Sequence, residues 1–335
     1  MTWNGTFVGR LVCLAGFSLL PAPAADTPQQ TRSCWLRDLA SPVPSNIYAL
    51  CEQGSVWMSS DNGATWSVKE TGAKGAVRAM SFLDANRALA IGDGGLVMVT
   101  SDAGKTWAET PSGTDKKLMD VAFAGNLGWV VGYNGLILHT PDGGKTWAAQ
   151  KSGTTQSIES VFFLDEQYGW AIGWAGTILR TTDGGKTWIA VKTDSATWSL
   201  SSVFFRDRQN GWIVGFAGQI LHSTDGGQTW KPQASPVKGW LTSVAFDKEG
   251  RGWITHDDGF LLSEDKGETW KVVKTSGRFF LAKLARVSDT VWALGQSTLL
   301  RLNSPGLEWK RIESLALDKA QSMNSVVPTP PGSER

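Results

Sequence analysis

The sequence has no excess of charge of either sign, and it is poor in the residues that carry most catalysis. Its 335 residues include only three histidines, three tyrosines and three cysteines. The 32 basic and 31 acidic residues leave a net charge of +1. This balance gives no support for a nucleic acid or a bulk anionic membrane as a partner.

A hydrophobic run long enough to span a membrane is also missing. The longest apolar stretch near the start, Leu11–Leu20, is too short for a span. It follows Arg10 and precedes the small residues of Ala22–Ala24, which together are typical of a secretory signal peptide. We therefore expect residues 1–25 to be a signal peptide and the mature protein to be exported. The expected location is the periplasm of a Gram-negative bacterium, or the thylakoid lumen in a photosynthetic source.

Cysteine is scarce, and only Cys34 and Cys51 would remain after the signal peptide is removed. Disulfides persist in exported proteins, and a bridge between these two would contribute roughly 3 kcal/mol on the loop-entropy model. We expect a Cys34–Cys51 disulfide; the alternative is two buried thiols.

The most abundant pattern is an octapeptide, Ser/Thr-x-Asp-x-Gly-x-Thr-Trp, that recurs through the chain. The six intact copies are Ser59–Trp66, Thr100–Trp107, Thr140–Trp147, Thr181–Trp188, Ser223–Trp230 and Ser263–Trp270. A seventh, decayed copy ends at Trp309, and successive closing tryptophans are 39 to 42 residues apart. A period near 40 made of short strands and turns predicts a β-propeller with one blade per repeat.

Each repeat reads as four antiparallel strands, with the octapeptide as the turn between strands three and four. The sequence therefore predicts an all-β, seven-bladed β-propeller over residues 34–313, preceded by a linker at 26–33. Residues 314–335 are expected to be a mostly disordered tail. The first strand of the last blade is expected to begin at Phe279, with Phe280 at the channel position that Arg37 and Arg78 hold in the first two blades. Ala88 is expected at the second-strand position of Trp129, Trp170, Trp212, Trp253 and Trp292.

The repeated aspartates are interpreted as structural. Asp and Ser/Thr side chains accept hydrogen bonds from turn amides, and glycine permits the turn. Six identical sites around a ring also cannot all be one active site. The predicted turn aspartates, with no metal or cofactor, are Asp61, Asp102, Asp142, Asp183, Asp225 and Asp265.

These residues resemble the Asp-box (BNR) repeat, which occurs in sialidases, some glucan hydrolases, sortilin-type receptors and the photosystem II assembly and stability factor family. The units Gly128–Trp147, Gly169–Trp188 and Gly211–Trp230 look most like the last family. The resemblance covers about residues 34–313. It implies a non-enzymatic scaffold or assembly factor. We expect a monomer whose partner is a protein client that belongs to a membrane-associated complex.

Enzymatic alternatives have weaker support. A sialidase carries a Phe/Tyr-Arg-Ile-Pro segment before its first box and a Tyr nucleophile paired with Glu, and this chain has no such segment. His139 and His222 occupy the same strand position two blades apart, so they cannot converge on a metal. A carbohydrate-binding or glycan-hydrolysing propeller remains one alternative, and an apolar-ligand accessory protein of an envelope transporter remains another.

Aromatic residues point to a binding face opposite the Asp boxes. Short turns between strands two and three normally carry Asn, Asp, Ser or Gly, yet three successive blades have aromatics there. Exposed apolar patches of this kind mark partner surfaces, unless the links fold over and bury the rings. The candidate binding residues are Tyr133, Trp174 and Phe216 in the turns and Trp35, Trp198, Trp240 and Phe279 in the links.

Two arginines add a second candidate feature of that face. Arg37 and Arg78 hold equivalent first-strand positions in adjacent blades, near Lys74, Lys116 and Lys117. The resembled family contacts its client through an arginine-bearing patch, which implies a basic binding sector at Arg37 and Arg78. The alternative is that these are ordinary solvated charges.

Overall fold

The computed structural model describes residues 34–193, 198–273, 280–287, 289–296, 298–303 and 307–312. The chain divides into two units, Met1–Thr31 and Arg32–Arg335, and the described residues all belong to the second. The predicted signal peptide, linker and C-terminal tail lie outside the described residues, as does Phe279. Among the described residues, no helix has the length and apolar character that a membrane crossing requires.

The described chain forms seven four-stranded antiparallel sheets, which are the blades of a propeller. Strands follow one another in sequence order within every sheet, so each blade is a simple meander. This architecture is the predicted one. The strands are, in blade 1, β1 (Leu36–Val43), β2 (Asn46–Cys51), β3 (Ser55–Ser59) and β4 (Ser67–Glu70); in blade 2, β5 (Val77–Phe82), β6 (Ala88–Gly92), β7 (Val97–Thr100) and β8 (Ala108–Glu109); in blade 3, β9 (Leu118–Ala124), β10 (Leu127–Gly132), β11 (Leu136–Thr140) and β12 (Ala148–Gln150); in blade 4, β13 (Ile158–Phe163), β14 (Gly169–Gly173), β15 (Ile178–Thr181) and β16 (Ile189–Ala190); in blade 5, β17 (Leu200–Phe205), β18 (Gly211–Gly215), β19 (Ile220–Ser223) and β20 (Lys231–Pro232); in blade 6, β21 (Leu241–Phe246), β22 (Gly252–His256), β23 (Gly259–Ser263) and β24 (Lys271–Val273); and in blade 7, β25 (Leu281–Val287), β26 (Thr290–Gly295), β27 (Thr298–Asn303) and β28 (Glu308–Arg311).

The first strands of consecutive blades contact one another around a central channel, and β25 contacts β1 to complete the ring. At this junction Trp35 bridges to Gln296. A disulfide joins Cys34 to Cys51, and both cysteines pack in one core with residues of blade 7. Blade 1 supplies all four of its own strands, so within the described residues the ring closes by packing rather than by strand exchange.

Two expected registers are wrong. The first strand of blade 7 begins at Leu281, and the pairing Leu281↔Gly295 makes Ala282, not Phe280, the counterpart of Arg37 and Arg78. A shift of two residues preserves the alternation of faces along a strand, so the sequence pattern could not distinguish the two registers. In blade 2 the pairing Leu89↔Val99 makes Leu89, not Ala88, the counterpart of the tryptophan position.

The core lies between blades and is organised by the second-strand tryptophans, which are fully buried. Trp170 stacks on Phe205 of the next blade with ring centroids 3.5 Å apart, and its Nε1 donates to the carbonyl of Gly226 at 3.1 Å. Gly226 belongs to the octapeptide of that next blade. The octapeptide turn therefore receives the neighbouring blade's indole, which explains why it contains glycine: a Cβ on Gly267 would lie 2.6 Å from the Trp212 ring.

Each octapeptide lies between the third and fourth strands and is held by a repeated set of hydrogen bonds. Thr181 Oγ1 donates to Asp183 Oδ1 at 2.8 Å and accepts from the amide of Gly185. Asp183 also accepts from the amide and the hydroxyl of Thr187, at 2.9 and 2.6 Å. In the equivalent turn, the hydroxyl and amide of Thr65 lower the pKa of Asp61 to about 2. The aspartates are thus fully engaged within their own turns.

Candidate functional site

The candidate site is a cavity of about 780 Å³ at one mouth of the central channel, which we call the mouth cavity. All eight sequence-predicted binding residues that the structure describes line it, and so does Phe280. The ninth predicted residue, Phe279, lies outside the described residues. Trp174, Trp198, Phe216 and Trp240 are 45, 53, 48 and 44% exposed. The links therefore do not bury these rings. The predicted residues are Trp35, Arg37, Arg78, Tyr133, Trp174, Trp198, Phe216 and Trp240.

Backbone hydrogen bonds between blades position the aromatic rings without covering them. We call the turn between the second and third strands of a blade its tip, and the segment that leads to the next blade its link. The tip of blade 4 is held to the following link, because the Gly176 amide donates to the Trp198 carbonyl at 3.0 Å. The tip of blade 5 is tied in the same way, through the Gly218 amide and the Gly239 carbonyl at 2.7 Å. In these tips Ala175 and Ala217 have positive φ values of 51° and 59°, a conformation that keeps the turn tight.

Contacts among the side chains fix the rings further. Tyr133 and Trp174 have ring centroids 6.0 Å apart, and Trp198 and Phe216 are 5.7 Å apart. Trp240 Nε1 donates to Ser201 Oγ at 2.6 Å. The exposed rings are therefore held in place before any ligand arrives, which reduces the entropy that binding would cost.

The floor of the mouth cavity is asymmetric. Each blade contributes one residue from its innermost strand. This residue follows the first one that pairs with the second strand, as Arg37 follows Leu36, and the register of that pairing shifts here. Blades 1 to 4 place long or charged side chains there, whereas blades 5 to 7 place small ones. From blade 1 to blade 7 the floor residues are Arg37, Arg78, Met119, Glu159, Ser201, Thr242 and Ala282.

The predicted basic sector consists of ion pairs rather than free positive charge. Arg37 pairs with Glu52 at 2.8 Å, and Arg78 forms a two-point contact with Asp93. Lys117 approaches the same Asp93 carboxylate at 3.4 Å. The hydrogen bond from Arg78 holds the pKa of Asp93 below its usual value. Each arginine is thus oriented toward the mouth by a carboxylate from the tip of its own blade.

Glu159 is the acidic residue of the floor. Burial raises the pKa of its carboxyl, while a hydrogen bond from Trp174 and the positive charges of Arg78 and Lys117 act in the opposite direction. The carboxyl therefore connects the charged floor to the exposed rings around the mouth. We call these rings the aromatic rim: Trp174, Trp198, Phe216 and Trp240.

Sequence reasoning missed a partly buried ionic cluster deeper in the channel. Lys283 Nζ lies 2.8 Å from Asp38 Oδ1 and 3.7 Å from Asp120 Oδ1. Burial raises the pKa of Asp120, and the attraction of Lys283 opposes this. Asp38 also accepts from the Met80 amide of the next blade at 2.9 Å. These groups tie blades together across the channel. One sequence signal pointed to this cluster: Asp38, Asp120 and Lys283 hold the same position in their first strands. Each lies two residues after a buried leucine, at Leu36, Leu118 and Leu281.

The arrangement suits binding better than chemistry. Each mouth carboxylate already has a partner: Glu52 and Asp93 bind arginines, and Glu159 binds Trp174. Among the described residues, no group of three or more His, Cys, Asp or Glu side chains is placed to hold a metal ion. His139 and His222 instead pack against Trp129 and Trp212.

The blades, the hydrogen-bonded octapeptides and the unbroken ring define the chain as an Asp-box β-propeller. The family model described as "Photosynthesis system II assembly factor YCF48" matches residues 72–152 and 146–234. Over residues 72–234 the chain is therefore similar to the photosystem II assembly factor family. No curated protein matches it significantly.

Solved structures show the same fold. "YCF48 bound to D1 peptide" is 25% identical with a TM-score of 0.63, over 76% of this chain and 86% of that one. "YCF48 from Cyanidioschyzon merolae" is 23% identical with a TM-score of 0.59, over 70% of this chain and 84% of that one. The WD40 β-propeller domain of Doa1 shares the fold at 12% identity, with a TM-score of 0.66 over 80% of this chain and 92% of that one.

Proposed function

We propose that the protein is an exported, monomeric, non-enzymatic assembly factor that binds a segment of a protein client, part of a membrane-associated complex, in the mouth cavity. The observation that carries this proposal is the half-exposed aromatic rim. Exposed, pre-positioned Trp and Phe side chains are costly to leave in water, and such residues dominate the binding energy of protein interfaces. The similarity to the photosystem II assembly factor family and the D1 peptide bound to a similar structure support the same kind of partner.

The dimensions and chemistry of the mouth cavity suit a peptide segment. A volume of about 780 Å³ is large enough for two or three side chains but not for a folded domain. Aromatic walls offer apolar contact on one side, and the paired arginines and Glu159 offer polar contact on the other. A client would therefore insert a loop or terminus while the surrounding tips contact the rest of its surface.

Site-specific photo-crosslinking in the native host tests the proposal. A photoreactive phenylalanine analogue replaces Phe216 in the mouth, and a matched variant carries it at Ile189. Ile189 is 56% exposed and lies on β16, an outer strand away from the mouth. We expect protease-sensitive crosslinks to one membrane-fraction protein from position 216 only. Equal crosslinking from both positions, or a product that is glycan or lipid rather than protein, would contradict the proposal.

The exported location has its own test. Mass spectrometry of the protein purified from a fractionated host should find a mature chain that begins after Ala24 or Ala25, in the periplasmic or lumenal fraction. An intact N-terminus in the cytoplasmic fraction would refute export.

A further inference from the structure

The seam between blades 2 and 3 differs from the other described seams. At every other blade the second strand places an aromatic ring between blades: Tyr48, Trp129, Trp170, Trp212, Trp253 and Trp292. Blade 2 alone places an aliphatic residue, Leu89, at this position. A cavity of about 410 Å³, which we call the seam cavity, lies here between the outer strands of blade 2 and the octapeptide of blade 3.

Two further substitutions keep the seam cavity open. The third-strand residue paired with the ring is His139, Arg180, His222 or Arg301 in four of the blades, whereas in blade 2 it is Val99. Gln150 and Gln233 extend from the fourth-strand side over the next octapeptide, and Thr110 holds the equivalent place in blade 2. Three short side chains, Leu89, Val99 and Thr110, thus coincide at one seam.

The other seams show which chemistry the position accepts. Trp129 and Trp170 donate their indole N–H groups to the carbonyls of Gly184 and Gly226, both at 3.1 Å. Gly143 follows the box aspartate Asp142 as Gly184 follows Asp183, and it lines the seam cavity. Trp107 and Val99 supply apolar walls. Arg87 and Lys145 also line the cavity, at its polar side. The seam therefore combines an apolar wall with a backbone acceptor at the place where other blades bind an indole.

We propose that the seam cavity is a binding site for a free, uncharged planar aromatic molecule of about indole size that carries a ring N–H. The ring would lie over Val99 beside Trp107, and its N–H would donate to the Gly143 carbonyl. Such a ligand restores the packing and the hydrogen bond that a tryptophan supplies in neighbouring seams. This site is separate from the mouth cavity and does not depend on the proposed client.

The test uses 5-fluoroindole as the probe and ¹⁹F NMR on the full-length mature protein. Leu89→Trp fills the slot from the second strand, and Thr110→Gln covers it in the manner of Gln150 and Gln233. We expect saturable binding to the wild type and at least tenfold weaker binding to each filled variant. Thr110→Gln changes a half-buried surface residue, so it decides the outcome if Leu89→Trp fails to fold.

Phe216→Ala is the matched control, because it removes a ring from the mouth cavity and leaves the seam intact. Its affinity for 5-fluoroindole should stay within twofold of the wild type. Absence of saturable binding up to the solubility of the probe would overturn the proposal. Equal binding by the filled variants, or loss of binding in Phe216→Ala alone, would overturn it as well.

Discussion

Trp170 and Trp174 lie four residues apart on one hairpin, and the structure gives them opposite roles. Trp170 is fully buried, stacks on Phe205 of the next blade and donates to the Gly226 carbonyl. Trp174 is 45% exposed and lines the mouth cavity. We therefore predict that Trp170→Ala is strongly destabilising and that Trp174→Ala is nearly neutral for folding.

The magnitudes follow from burial. Truncation of a buried Trp to Ala costs about 3–5 kcal/mol, because transfer free energy is lost and a cavity remains between the blades. The Gly226 carbonyl still accepts from Arg180 Nε at 2.8 Å, so no large unsatisfied-acceptor cost is added. Trp174 loses its contact with Tyr133 and its hydrogen bond to Glu159, which together cost less than about 1.5 kcal/mol.

Urea unfolding followed by far-UV circular dichroism measures both values without relying on the tryptophan signal that the variants change. The slope of the free energy with urea should be unchanged, so that the shift in midpoint reports stability. Similar losses for Trp170→Ala and Trp174→Ala would refute the reasoning, since the ring at position 174 would then belong to the core.

Three further outcomes are expected. Asp183→Ala should lower the free energy of unfolding by roughly 1–3 kcal/mol, because turn amides lose their acceptor, and should leave client binding intact. Loss of binding in a folded variant would show that the octapeptide takes part in binding. Melting temperature should fall as pH drops from about 4 toward 2. Hydrogen bonds hold the pKa of Asp61 and Asp102 at about 2, below the ordinary 3.8, so their stabilising effect is present above pH 3.8 and is lost as the folded state is protonated. A flat profile across this range would contradict the structural role of the turn aspartates. Reduction of the Cys34–Cys51 disulfide, which closes a separation of 17 residues, should cost about 3 kcal/mol in urea unfolding, and an unchanged midpoint would show that the bridge contributes nothing.

The repeat predicted the fold well because each octapeptide encodes its own turn and its own packing partner. Thr181, Asp183 and Thr187 form hydrogen bonds with one another within eight residues, so their spacing alone reveals the blade. The aromatic tips were also recognisable, since Trp174 and Phe216 replace residues that turns prefer. Prediction of the last blade's register failed, because the two-residue shift from Phe280 to Ala282 preserves the strand alternation.

Contacts between distant repeats were harder to foresee. The cluster of Lys283, Asp38 and Asp120 joins three blades across the channel, and the position these residues share in their first strands does not by itself reveal that they meet. The pairing of Arg37 with Glu52 depends on the hairpin tip turning back toward the innermost strand. These features arise from closure of the ring, which places side chains together only after all seven blades are present.

The most direct test of the central claim, that the aromatic rim binds a protein client, is the dissociation constant of the crosslinked client measured with purified wild type and variants. We predict that Trp174→Ala and Phe216→Ala each weaken binding by about 2 kcal/mol or more, which corresponds to roughly 30-fold. Val272→Ala is the control, since Val272 is 48% exposed on the outer strand β24. Unchanged affinity in the two rim variants, with folding intact, would contradict the account.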